Sequence, residues 1–109
     1  MSFDSLLVHD LVIRRMASTG TLDDWGQPVT AVADVAEVRG NVQPRAVREM
    51  ALASQAGVPV GDHVAFLRPL EGIAQDCWIE YAGARYDIVG IRDAAGRGHH
   101  LEIDLRRVG

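Results

Sequence analysis

The last third of the chain is the stretch that most limits what it can become. Leu101-Glu102-Ile103-Asp104-Leu105-Arg106 alternates strictly between apolar and polar residues. A period of two puts Leu101, Ile103 and Leu105 on one face and His100, Glu102, Asp104 and Arg106 on the other, the pattern of a half-buried antiparallel strand. Before it, Cys77-Trp78-Ile79-Glu80-Tyr81 and Arg85-Tyr86-Asp87-Ile88-Val89-Gly90-Ile91 flank Ala82-Gly83, and a second glycine-bearing turn, Asp93-Ala94-Ala95-Gly96-Arg97-Gly98, leads into the final run. Such turns supply the positive φ that tight hairpins need. Residues 76–108 are therefore expected to form two hairpins in tandem, with Tyr86, Ile88, Leu101, Ile103 and Leu105 in the core. Antiparallel β structure is then the frame into which the rest of the chain must fit.

Upstream, residues 1–8 form an N-terminal arm, read as one short helical turn or a loose segment. His9–Met16 is the first strand, with Leu11, Ile13 and Arg15 on one face and Val12, Arg14 and Met16 on the other. Residues 18–28 are rich in Ser, Thr, Gly, Asp and Pro, which predicts a long excursion between strands. Extended chain resumes at Val29. Its best part is Val35–Pro44, where Val38, Gly40 and Val42 oppose Glu37, Arg39, Asn41 and Gln43, and pairing is expected to stop at Pro44, which has no N–H to donate. Asp62–Arg68 is a further strand. Between them, residues 45–60 change character: Ala46, Val47, Met50, Ala51 and Ala53 fall at roughly helical spacing before Gly57 and Pro59, so this insertion reads equally as a short helix or a mobile loop. The expected fold is mainly β: one small antiparallel barrel or sandwich of five to six strands over residues 1–109, with the insertion around 45–60.

Charge and residue types exclude several functions. The 109 residues carry 15 acidic and 11 basic side chains, a formal charge of −4. A general nucleic-acid binder needs a basic footprint to displace counterions, so a small nucleic-acid-binding barrel is the weaker alternative. One cysteine, Cys77, precludes an internal disulfide and a four-cysteine zinc site. Residues 1–5 lack the basic and apolar runs of a signal peptide, and no apolar run reaches the ~20 residues a membrane span needs, so a soluble chain made in a reducing cytoplasm is expected. The four histidines, His9, His63, His99 and His100, have no metal-ligand spacing, and no serine sits in a nucleophile-elbow context. No metal, cofactor or catalytic residue is expected. Every basic residue is arginine, a side chain suited to fixed ion pairs at subunit contacts.

The order of these pieces resembles the phage head–tail joining proteins, also called head-closure or stopper proteins. The resemblance runs from the strand at His9–Ser18 and the turn Asp23-Asp24-Trp25-Gly26-Gln27-Pro28-Val29, through Asp34–Met50, to Cys77–Val108 with its Arg-x-Tyr-x-Ile, Asp-x-x-Gly-Arg and final alternating strand. It implies a structural virion protein, not an enzyme. Such a protein forms a homo-oligomeric ring, six- or twelve-fold, in the neck of the virion. It closes the filled capsid below the portal and adaptor and offers a docking surface to the tail tube or tail terminator. Genomic DNA passes its lumen without sequence-specific binding, and no membrane is involved. A tail-completion or tail-terminator protein is the alternative within the same class. The resemblance also places residues 45–60 towards the channel, which makes Arg45, Arg48, Glu49, Met50 and Gln55 the candidate channel-loop residues.

Overall fold

The strict alternation of the last strand is realised in space, and a barrel closes around it. The structure is a computed structural model that describes residues 3–56, 61–93 and 100–108. Its strands are β1 (His9–Leu22), β2 (Pro28–Pro44), β3 (His63–Leu67), β4 (Trp78–Tyr81), β5 (Ala84–Asp93) and β6 (Leu101–Val108), with a 3₁₀ turn at Phe3–Leu6 and one helix, α1 (Val47–Gln55). The strands run in the order β1-β2-β3-β6-β5-β4, all neighbours antiparallel, and β4 pairs back onto β1 through Val12–Arg14. Closure leaves the barrel without a free edge.

The core is the set of inward residues. Ile13, Ala65, Ile79, Ile103 and Leu105 have no exposed surface, and Leu11 and Leu67 have 1%. Tyr86 and Ile88 join them, and Leu101 packs against their margin, so the expected core residues of the last third all lie where the alternation puts them. On β3 the inward face is that of Ala65 and Leu67, while Phe66 turns outward towards His100. The β4–β5 hairpin closes through Ala82 and Gly83, both at positive φ (52° and 79°), the two-residue geometry whose twist suits the flanking strands. The second turn of the tandem, residues 94–99, lies outside the described residues.

Two features depart from the sequence reading. The expected excursion at 18–28 is mostly strand: β1 runs on to Leu22 and β2 restarts at Pro28, with Met16 opposite Val32, Ser18 opposite Thr30 and Leu22 opposite Pro28. Ser, Thr and Gly favour turns there by composition, but the two arms pair backbone to backbone, and Thr19 adds a side-chain hydrogen bond to the Val29 carbonyl at 3.0 Å. Only Asp23–Gln27 turns. Among the described residues β1 pairs with no other strand beyond Arg14 and β2 with none before Gly40, so the hairpin projects from the barrel as a two-stranded arm. The second departure is Asp104, expected on the solvent face with Glu102 and Arg106. It is 4% exposed. Its neighbour on β3, Val64, is also buried while standing outside the barrel core. The outer wall over β3 and β6 is thus covered.

Candidate functional site: the rim segment between β2 and β3

The segment singled out by the resemblance leaves the barrel at the last rung of the β2–β3 ladder, Pro44 opposite His63. Its two roots are held together there, because the Arg45 amide donates to the Asp62 carbonyl at 2.8 Å. Both roots are also fixed to β6. At the first, the Arg45 guanidinium donates to the Asp104 carboxylate, with side-chain exposures of 14% and 6%. Asp104 accepts a second hydrogen bond from Arg92 on β5 at 3.2 Å, and Arg92 also reaches Glu102 at 3.2 Å. Room for the carboxylate comes from an irregularity in the β5–β6 ladder: Ile88 faces Leu105, the next rung is Gly90 with Asp104, and Val89 is left over. A Cβ on Gly90 would already lie 3.5 Å from the Asp104 carboxylate.

At the second root, Gly61 lies against the β6 backbone so closely that an added Cβ would fall 1.7 Å from the Leu105 carbonyl oxygen. Asp62 follows. Its carboxylate accepts from His63 Nδ1 at 2.8 Å and from the Arg107 amide at 3.0 Å. Burial by itself opposes the charge on Asp62, but the hydrogen bonds from His63 and the Arg107 amide outweigh it and hold its carboxyl below the ordinary carboxylate range.

Between these roots the structure resolves the choice left open by the sequence: residues 47–55 are helical. The α1 helix stands at the barrel rim with Arg48, Ala51, Leu52 and Gln55 exposed and Met50 half-buried. Arg48, Leu52 and Gln55, spaced i, i+4, i+7, share one stripe. The five candidate residues therefore separate. Arg45 is absorbed into the wall as an anchor, Glu49 lies on α1, and Arg48 and Gln55 face solvent. Residues 57–60, the end of the expected loop, lie outside the described residues. The stripe offers one guanidinium, one amide and one leucine, a surface able to touch a polyanion but carrying little charge with which to grip it.

Other chemistry-bearing residues are absorbed structurally. Cys77 is 3% exposed. His9 Nδ1 accepts from the Val42 amide at 3.0 Å, and its ring lies 4.6 Å from that of Tyr81. Among the described residues no group of three His, Cys, Asp or Glu side chains is placed to hold a metal, and no helix is long and apolar enough to cross a membrane. Arg14 donates to Glu80 at 3.1 Å and approaches Asp34 at 2.9 Å, while Arg85 lies over the Trp78 ring at 4.1 Å. These groups brace the outer wall where the arm begins.

A barrel with a rim segment clamped at both roots suits an assembly part, and comparison with known proteins bears on which one. A family model described as phage head completion protein matches residues 7–108. The chain belongs to the phage head completion protein family. This head completion protein is accordingly a structural virion component that works with other capsid or tail proteins. The matched span takes in all six strands, the rim segment and the projecting arm. Among solved structures it is similar to the solution structure of protein SF1141 from Shigella flexneri 2a, at 24% identity and a TM-score of 0.75, over 98% of this chain and 96% of that one; at that identity the likeness speaks for the fold. A search of curated proteins gives no match.

What sequence reasoning missed is the arm. Its tip carries Trp25 at 87% exposure and Leu22 at 67%, and its sides carry Met16 and Val32 at 51% and 54%. Two signals were available: an unpaired tryptophan in a polar turn, and Thr-rich flanks of matching length. Both were outweighed by the Ser, Gly and Pro content.

Proposed function

We propose that this protein is a subunit of a ring in the virion neck that closes the DNA-filled head below the portal and adaptor and receives the tail. The family match across the whole barrel carries the reading. Three physical features support it. A barrel closed on itself leaves its loops and arm, not a sheet edge, for neighbours, and contacts between unlike patches close into rings by rotation. The net charge of −4 suits a conduit that DNA passes without being held. The α1 segment, clamped at Arg45 and at Gly61-Asp62, is a rigidly rooted projection of the kind needed to narrow a lumen.

The test is deletion of residues 46–57 in the phage. The expected result is rings that still assemble and heads that are packaged but leak DNA, measured as nuclease-accessible genome and loss of infectivity. Intact, infectious particles from this mutant would refute the channel role of the segment. Heads that retain their DNA in the complete absence of the protein, alongside tails of abnormal length, would refute head closure itself and place the protein in the tail.

A further inference from the structure

We propose that the arm is the subunit–subunit connector: the Trp25 tip of one copy seats in the groove between Leu7, Val38, Arg39, Arg68, Pro69 and Leu70 of the next. The inference deepens the ring reading above and rests on it for closure.

The tip is built to present its side chain. Asp23 Oδ1 accepts from both the Trp25 and the Gln27 amides at 2.9 Å, the Gly26 amide donates to the Asp23 carbonyl at 3.1 Å, and Gly26 takes a φ of 76°. The amides of Asp23, Trp25, Gly26 and Gln27 are thus paired within the turn, and the indole is left 87% exposed. A preorganised, exposed tryptophan is the residue type that most often anchors a protein interface. Behind it, the cross-strand pairs Met16–Val32 and Leu22–Pro28 lie on a single face of the arm, and Met16, Leu22 and Val32 are more than half exposed. The apolar tip therefore continues into an apolar stripe.

The groove has the complementary character. It is a cleft of about 550 Å³ with an apolar floor of Leu7, Val38, Pro69 and Leu70 and two arginines, Arg39 and Arg68, large enough for an indole. Guanidinium groups beside an indole add cation–π attraction, strongest for tryptophan among the aromatics. The tip brings two carboxylates, Asp23 and Asp24, next to Trp25, opposite in sign to those arginines. The Arg39 side chain is oriented by its own hydrogen bonds, to the Leu7 carbonyl at 3.3 Å and to Asp10 at 3.0 Å.

The tip cannot enter its own groove. Val38 lies ten positions along β2 from Pro28, about 33 Å at ~3.3 Å per residue, and the paired arm points away from it along that strand. A second copy is the occupant that satisfies both surfaces at once, since every copy carries one tip and one groove. The contact joins two different patches, so it propagates head to tail and closes by rotation.

The test uses the full chain with one cysteine added at each patch, the native Cys77 being buried. An Asp24→Cys chain and an Arg68→Cys chain, mixed at high concentration under mild oxidation, should give a disulfide-linked heterodimer. The doubly substituted chain should give a ladder of oligomers. Adding Trp25→Ala should lower the cross-linking yield at sub-saturating concentration by about 30-fold, the loss expected of a hot-spot residue. All three positions are exposed, so the variants should melt like the wild type. No cross-link above that of an Asp24→Cys and Gln55→Cys pair, or a yield unchanged by Trp25→Ala, overturns the proposal. Head closure would survive that result if heads lacking the protein still leak DNA, so the two readings fail separately.

Discussion

Replacing Asp104 by alanine puts the clamp at the first root to a quantitative test. Asp104 and Arg45 expose 6% and 14% of their side chains, and Asp104 also accepts from Arg92, which is half exposed. Removing the carboxylate takes from Arg45, itself in a covered site, its Asp104 partner, whereas Arg92 turns to water and keeps Glu102. Breaking a buried pair by deleting one partner costs about 3–5 kcal/mol, most of it the desolvation of the stranded charge. With one of the two arginines able to re-solvate, about 3–4 kcal/mol is expected. That is a large part of the ~5–15 kcal/mol that holds a domain of this size together. At ~5 °C per kcal/mol the midpoint of thermal unfolding should fall by roughly 15–20 °C. Urea unfolding followed by tryptophan fluorescence reads it directly. Trp78 is 6% exposed and Trp25 87%, so the signal change comes mainly from Trp78 in the barrel wall. Arg45→Met combined with Asp104→Leu removes both charges and should return stability to within about 1 kcal/mol of the wild type, since a packed apolar pair commonly replaces a buried ion pair without loss. An Asp104→Ala protein within about 1 kcal/mol of the wild type would refute the reasoning. So would a double variant whose loss equals the sum of the two single losses.

The second root makes its own predictions. Gly61→Ala puts a Cβ 1.7 Å from the Leu105 carbonyl oxygen and 2.2 Å from the carbonyl carbon; backbone lies on both sides, so β6 must move, and loss of soluble folded protein or destabilisation beyond ~3 kcal/mol is expected. Gly20→Ala, at φ 81° with nothing within 4 Å of the added Cβ, should cost only the ~1–2 kcal/mol of a left-handed backbone; equal losses at the two sites would contradict the close-approach account. Asp62→Asn keeps an acceptor for the Arg107 amide and removes the charge. Because the Asp62 pKa is lowered on folding, its ionised form contributes stability above the ordinary carboxylate pKa, and that contribution disappears as the pH falls through the lowered value. The variant should therefore be less stable than the wild type at neutral pH, with the gap closing as the pH falls below the ordinary carboxylate range; a gap that is constant or widens in acid would oppose this assignment.

Much of this fold was legible because strand alternation is a local property. Leu101, Ile103 and Leu105 announce their shared face by spacing alone, and Tyr86 and Ile88 follow from the same count across the Ala82-Gly83 turn. Pro44 marks the end of the β2 ladder for an equally local reason, its missing N–H. The candidate site was only partly legible. Residues 45–60 stood out by composition, yet helix and loop could not be separated, since a nine-residue helix is marginal without contacts made elsewhere. Alternation puts Asp104 on the outer face and does not say what covers that face. The cover, Arg45, lies 59 positions away in the chain. The arm was lost for the converse reason: Ser18 and Gly20 are weak strand formers one at a time, and pairing with the matching flank across the turn makes them strand.

By itself, then, the sequence determined the β class and the inward face of each strong strand, both consequences of residue type and short spacing. Only the tertiary structure decided that the barrel closes through β4 on β1, that both roots of the rim segment are tied to β6, and that Trp25 stands out on a two-stranded arm. Each of these depends on which distant backbones pair and in what register, and that is settled by packing over the whole chain, not by any stretch of it.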